Sequence, residues 1–126
     1  MTALVTRDKY GPPYLRGTRL RVSDIQSWDD ARRPADHLRY EYPSALADWS
    51  DEDIATALTY PRISGTTYTD TSVALVIDDD GDISVEGWFE AADAPLVIAA
   101  IERARERVAA WEQVCDAWEK ERGGGT

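Results

Sequence analysis

Apolar positions along this chain change period twice. Through about residue 62 they recur at helical spacing in short runs interrupted by proline, from Ser72 to Phe89 they lie in strand-like runs, and from Val97 onward they form one long helical stripe. Tyr14 to Val22 alternates aromatic or aliphatic residues with arginine around Gly17, which predicts a short extended segment or hairpin. Ser23 is placed to cap a first helix whose apolar side is Ile25 and Trp28 and which ends near Arg33. Pro34 suits the first turn of a second helix, running through Leu38 to about Tyr42, and Pro43 stops it. The third helix has the sharpest start: Ser50 with Asp53 approximates a capping box, and Asp51, Glu52 and Asp53 sit where the helix dipole favours negative charge. Ile54, Ala57 and Leu58 supply its buried stripe, and Pro61 ends it.

These signals predict an α+β protein. Residues 1–12 read as a flexible arm, 13–62 as a helix-turn-helix module, 63–122 as a β-hairpin plus a long helix, and 123–126 as a disordered tail. Residues 63–71, rich in Ser, Gly, Thr and Tyr, read as a linker or an exposed edge segment. Ser72–Ile77 and Ile83–Phe89 are the hairpin strands, joined by Asp78-Asp-Asp-Gly-Asp82, whose Gly81 can supply the positive φ of a tight turn. A calcium loop is set aside, because an EF-hand ending in Asp80-Gly81 needs acids where this chain has Val76 and Gly87.

The last helix, from about Ala92 to Glu121, carries Val97, Ile101, Ala104, Val108, Trp111, Cys115 and Trp118 in heptad a/d spacing. Such a seam must be covered, either by the chain's own hairpin or by a partner. Its bulkiest residues lie in the second half, beyond the reach of a two-stranded hairpin. Self-pairing into a homodimer is therefore the expectation, with Val97, Ile101, Val108, Trp111 and Trp118 as partner-binding residues.

Composition narrows the function. The 126-residue chain has a formal net charge of −10, and the charge is unevenly distributed. Residues 1–39 hold eight basic and five acidic residues, a net of +3, whereas residues 63–126 hold five basic and fourteen acidic, a net of −9. A basic front suits phosphates or an acidic partner; an acidic back must face water or something basic. The basic residues are twelve Arg and two Lys, and Asp outnumbers Glu fifteen to nine, so generic solvation of a salt-tolerant protein is the alternative account. Cys115 is the only cysteine, which excludes an internal disulfide and a thiolate zinc cage, and a packed thiol is expected. No apolar run approaches a bilayer span and no secretory pattern opens the chain, so a cytoplasmic location without membrane attachment is expected.

Catalytic constellations are missing. His37 stands without a second His or a Cys nearby, and no phosphate loop, dinucleotide fingerprint or nucleophile elbow occurs, so neither enzyme activity nor a cofactor is expected. The basic segment carries more. Arg16, Arg19 and Arg21 around Gly17 and Thr18 offer guanidinium forks, a hydroxyl and backbone N–H groups suited to phosphate, unless they pair with Asp24, Asp29 and Asp30. A groove-reading third helix would add Thr56, Thr59, Tyr60 and Arg62, but its leading carboxylates would repel the phosphate walls.

Tyr14-Leu-Arg-Gly-Thr-Arg-Leu-Arg-Val-Ser-Asp-Ile25, Ala35-Asp-His-Leu-Arg-Tyr-Glu-Tyr-Pro43 and Trp49-Ser-Asp-Glu-Asp-Ile-Ala-Thr-Ala-Leu-Thr-Tyr60, in that order, resemble the domain of unknown function 433 family over about residues 11–62. The resemblance implies a homeodomain-like helix-turn-helix of antitoxin type, encoded beside a PIN-type ribonuclease. Arg16, Gly17, Thr18, Arg19, Tyr42, Pro43, Asp53, Ile54 and Leu58 match its motif. Arg21 replaces the family's usual proline, Gly11-Pro12 replaces its paired glycines, and Ser44–Asp48 lengthens the interhelical loop, which changes the angle of the third helix. The expected function is a non-enzymatic antitoxin-type transcription regulator. Its DNA-binding set is Arg16, Thr18, Arg19, Arg21, Arg32, Arg33, Arg39, Thr56 and Arg62, and its acidic half takes a basic protein such as a ribonuclease toxin. The rival expectation is an acidic protein-binding module, a DNA mimic or viral inhibitor, that does not bind DNA.

Overall fold

The structure, a computed structural model, describes residues 4–7, 12–30 and 35–122, with only the backbone of 28–30 and 35–37. Arg32, Arg33, the His37 side chain and the 123–126 tail lie outside the described residues. The chain is mixed α and β and divides into two compact units, Met1–Pro61 with Cys115–Thr126, and Arg62–Val114.

The first unit opens with strands β1 (Val5–Arg7) and β2 (Pro13–Leu15), antiparallel with Val5 opposite Leu15. Residues 5–7, expected in a loose arm, are thus held in a sheet, because Val5 and Leu15 bury together. The chain turns at Arg16–Arg19 and returns through a Tyr14–Arg21 bridge, with Leu15 N–H donating to the Leu20 carbonyl at 2.9 Å. Helix α1 (Val22–Asp30) begins one residue before Ser23. Its cap comes from Asp24, whose carboxylate accepts the Arg21 N–H at 3.3 Å and so satisfies a donor that a new helix leaves open.

Helix α2 (Ala35–Glu41) precedes a loop that buries Leu46 and Trp49, and then α3 (Asp51–Ala57) begins where Ser50 Oγ accepts the Asp53 N–H at 3.0 Å. The buried Gln26 amide of α1 donates to the Tyr60 carbonyl at 2.9 Å, meeting an acceptor left beyond the end of α3. Val22, Ile25, Leu38, Leu46, Ile54 and Ala57 are the buried residues these helices share.

The second unit holds three antiparallel strands in the order β3 (Gly65–Tyr68), β4 (Ser72–Ile77), β5 (Ile83–Trp88). The hairpin expected over 72–89 is therefore a three-stranded sheet, with the 65–68 segment as its other edge. Asp78 organises the β4–β5 turn itself, its Oδ1 accepting the Asp80 and Asp82 N–H groups at 2.9 and 3.0 Å. A 3-10 turn (Ala91–Asp93) leads into helix α4 (Ala94–Glu121). Val73, Leu75 and Ile77 form the buried row of β4. The Trp111 ring lies against Gly81, where an added Cβ would meet it at 2.7 Å, and Arg107 crosses Gly65 to donate to the Ser64 carbonyl at 3.0 Å.

Much of the stripe expected to pair two copies is covered by the chain itself. Val97, Ala104, Trp111, Cys115 and Trp118 are buried within the single chain, and Ile101 and Val108 are partly buried. Cover comes from a sheet with one strand more than a hairpin and, past Cys115, from residues of the first unit, including Tyr60 and Thr59.

Candidate functional site

Three places carry unusual chemistry. The first is a cleft of about 490 Å³ between the Arg16–Arg19 turn and the α2–α3 loop, lined by Arg16, Gly17, Thr18, Arg19, Ser44, Ala45, Asp48 and Trp49. Its walls follow from two tight turns: Gly17 at φ 71° closes one, and the buried Trp49 anchors the other. The Arg16 guanidinium lies 5.5 Å from the Trp49 ring centroid, a cation–π distance. Arg19 is exposed at the rim and also borders a second hollow beside Thr6 and Tyr14.

Of the other expected nucleic-acid contacts among the described residues, Thr18 lines the cleft, while Arg21, Arg39, Thr56 and Arg62 are not among its lining. Thr18 is taken up by its own turn, its hydroxyl donating to the Leu15 carbonyl at 2.9 Å and accepting the Leu20 N–H at 3.0 Å. Arg21 pairs with Asp24 at 3.3 Å. Arg39 pairs with Asp51 and donates to the Trp49 carbonyl at 2.8 Å. Thr56 is partly buried, and its carbonyl accepts the Thr59 hydroxyl at 2.6 Å. Arg62 is exposed and belongs to the second unit. Among the described residues, then, Arg16 and Arg19 converge while Arg21 and Arg39 each face a carboxylate.

The second place is a polar cluster in the first unit that no local pattern announces. Arg7 on β1 pairs with Asp116 and, at 3.5 Å, with Glu119 of α4, and Glu119 accepts the Tyr60 hydroxyl at 2.8 Å. Tyr60 meets Trp118 edge to face, centroids 4.9 Å apart, and the Trp118 indole N–H donates to the Thr59 hydroxyl at 3.1 Å. Burial, seconded by contacts with Cys115 and Glu119, pushes the Tyr60 phenol well above its ordinary value. Burial likewise lifts the Cys115 thiol to about 11, against the lowering effects of Tyr60 and Arg7. Burial alone would lower Arg7, but Tyr60, Glu119 and Asp116 outweigh it and hold the guanidinium above its ordinary value. A fully buried thiol with a raised pKa is a poor nucleophile, so the cluster is a structural clasp on the last turns of α4.

The third place is the β5 edge. Ser84 to Trp88 are exposed, Val85 at 48% and Trp88 at 66%, followed by Phe89 at 43%. Exposed acids surround them: Asp78, Asp79 and Asp82 at one end, Glu86 in the strand and Glu90 at the other end. Among the described residues no group of three or more His, Cys, Asp or Glu is placed to hold a metal ion, and no helix is long and apolar enough to cross a membrane. No family model, curated protein or solved structure matches the chain.

Proposed function

We propose that the protein is a non-enzymatic binding module whose acidic second unit holds a basic surface of a protein partner. The observation that carries this reading is the concentration of exposed acid there. Residues 62–114 hold four basic and eleven acidic residues, and the acids around β5 are exposed, whereas acids of the first unit pair with Arg7, Arg21 and Arg39. Exposed like charge held on a small sheet raises the association rate of an oppositely charged partner. Titration with polylysine tests it: binding should be tight at ~20 mM salt and collapse by ~0.5 M, as screening requires. No binding at low salt would end the reading.

The cleft favours a second reading. Arg16 and Arg19, with the turn's backbone, could position a phosphate, and a homeodomain-like helix-turn-helix regulator of antitoxin type would use them against DNA. Under that reading duplex affinity falls steeply with salt, and Arg16→Glu with Arg19→Glu abolishes it. The pairing of Arg21 and Arg39 with acids, and the carboxylates leading α3, support the acidic module over this reading.

A further inference from the structure

The two edges of the three-stranded sheet differ in kind. The β3 edge is four residues long, Gly65-Thr-Thr-Tyr, and Arg107 lies over its start. Short length, polar side chains and an overlying charge are the usual ways of blunting an edge. The β5 edge is six residues long, and its one charged side chain, Glu86, lies on the outer face of the sheet. It presents a row of main-chain groups that no other strand among the described residues takes up, since the order is β3-β4-β5.

Register defines what that edge can read. Ile83 and Val85 lie opposite Ile77 and Leu75, both buried, so they share the inner face of the sheet. Ser84, Glu86 and Trp88 lie opposite Val76, Ala74 and Ser72 and point to the outer face. A strand added to β5 therefore meets an apolar row on one side and a carboxylate with an exposed indole on the other. Apolar residues would suit the first row. Lysine or arginine would suit the second, through ion pairing with Glu86 and a cation–π contact with Trp88.

We propose that the β5 edge is a docking site for an extended segment of a partner protein with alternating apolar and basic residues, bound as a fourth strand of the sheet. This rests on the acidic-module reading and deepens it. Charge complementarity selects this occupant over a second copy of the chain, because β5 pairing with itself would bring two sets of Asp78, Asp79, Asp82, Glu86 and Glu90 together. Main-chain hydrogen bonds hold the segment, and the two rows select its sequence.

The probes are two labelled peptides of equal charge, one alternating lysine and valine, the other with its central valines replaced by proline, which cannot donate to a ladder or continue a strand. The full-length protein should bind the alternating peptide about tenfold or more tighter than the proline peptide, and Val85→Lys, a charge in the inner row, should remove most of that difference. Val85 is half exposed, so the variant keeps the fold; amide exchange adds a second readout, in which only the alternating peptide slows β5 amides of the unaltered protein. Equal binding of both peptides, with β5 exchange unchanged, overturns strand addition and leaves the acidic module standing. Binding of neither peptide overturns both. A dimer in sedimentation that Val85→Lys dissociates would make a second copy the occupant and overturn the proposal.

Discussion

The two units handle charge in opposite ways. In the first, guanidiniums and carboxylates meet: Arg21 with Asp24 inside one turn, Arg39 with Asp51 across a loop, Arg7 with Asp116 and Glu119 across the fold. In the second, acids outnumber bases and the exposed carboxylates of the turn and edge strand face water, while Arg105 and Glu102 pair at 3.6 Å on α4. Part of a positive stretch of sequence is therefore neutralised, at Arg7, Arg21 and Arg39, while a negative stretch stays exposed. Net charge along a chain sets a surface field only where the fold does not bring the opposite sign beside it.

The largest expected effect tests whether the second unit's sheet holds its edge in place. Gly87, next to last in β5, has φ 111°, and a Cβ there would overlap the Ser72 carbonyl oxygen of β4. Backbone cannot move aside as a flexible side chain can. Gly87→Ala should cost about 3 kcal/mol, combining positive-φ strain with a main-chain clash, and denaturant unfolding should read it. Amide exchange should locate the loss in β4 and β5; an unchanged midpoint would mean that the edge is not built around that glycine.

Next is the clasp of the first unit. Arg7→Ala removes the cation from a guanidinium–carboxylate–phenol cluster and leaves Glu119 beside a buried tyrosine, a loss of about 2 kcal/mol, since the arginine side chain is 16% exposed. The change should appear as faster exchange in the last turns of α4. Arg7→Lys should recover part of it, keeping charge without the planar fork.

The same cluster sets a pH dependence. Tyr60 and Cys115 are acids that burial keeps protonated in the folded chain. Above an ordinary thiol value of about 8.5 the unfolded chain releases the cysteine proton while the folded chain keeps it, up to about 11. The unfolded state then binds fewer protons, so stability falls as pH rises, and Tyr60 extends the fall beyond about pH 10. Urea midpoints at neutral and alkaline pH should show it, with a shallower decline in Cys115→Ala. A flat profile would mean that water reaches the thiol.

Legibility followed sequence distance. The Ser50–Asp53 cap and the Asp78–Asp82 turn are contacts within a few residues, so residue type and spacing disclosed them. The start of α1 shows the limit even at short range: Ser23 and Asp24 both offer a capping oxygen, and Asp24 won because it reaches the Arg21 N–H. Strand β1 is three residues whose meaning lies in Val5 meeting Leu15, and nothing local signals that pairing. Arg7 and Asp116 are 109 residues apart, so the clasp left no pattern to read. The α4 stripe announced that it would be buried but not by what, because periodicity fixes a face and leaves its partner open. The β5 edge was half visible: alternation marked a strand, but only the order of strands made it an edge.

The smallest effect sharpens the contrast between neutralised and exposed charge. Arg21 and Asp24 form an exposed i,i+3 pair at 3.3 Å, the kind that contributes about 0.5 kcal/mol or less. Arg21→Ala should therefore barely move the unfolding midpoint, because the Asp24 cap uses the Arg21 backbone N–H, which the substitution keeps. Asp24→Ala removes cap and pair together and should cost about 1 kcal/mol. Polylysine affinity separates the units further. Neither substitution lies in the acidic unit, so neither should change it at moderate salt, whereas Glu86→Gln, on the exposed strand, should weaken it. If Asp24→Ala instead weakened polylysine binding as much as Glu86→Gln, carboxylates of the first unit would be available to a partner, and the division of charge between the two regions would fail.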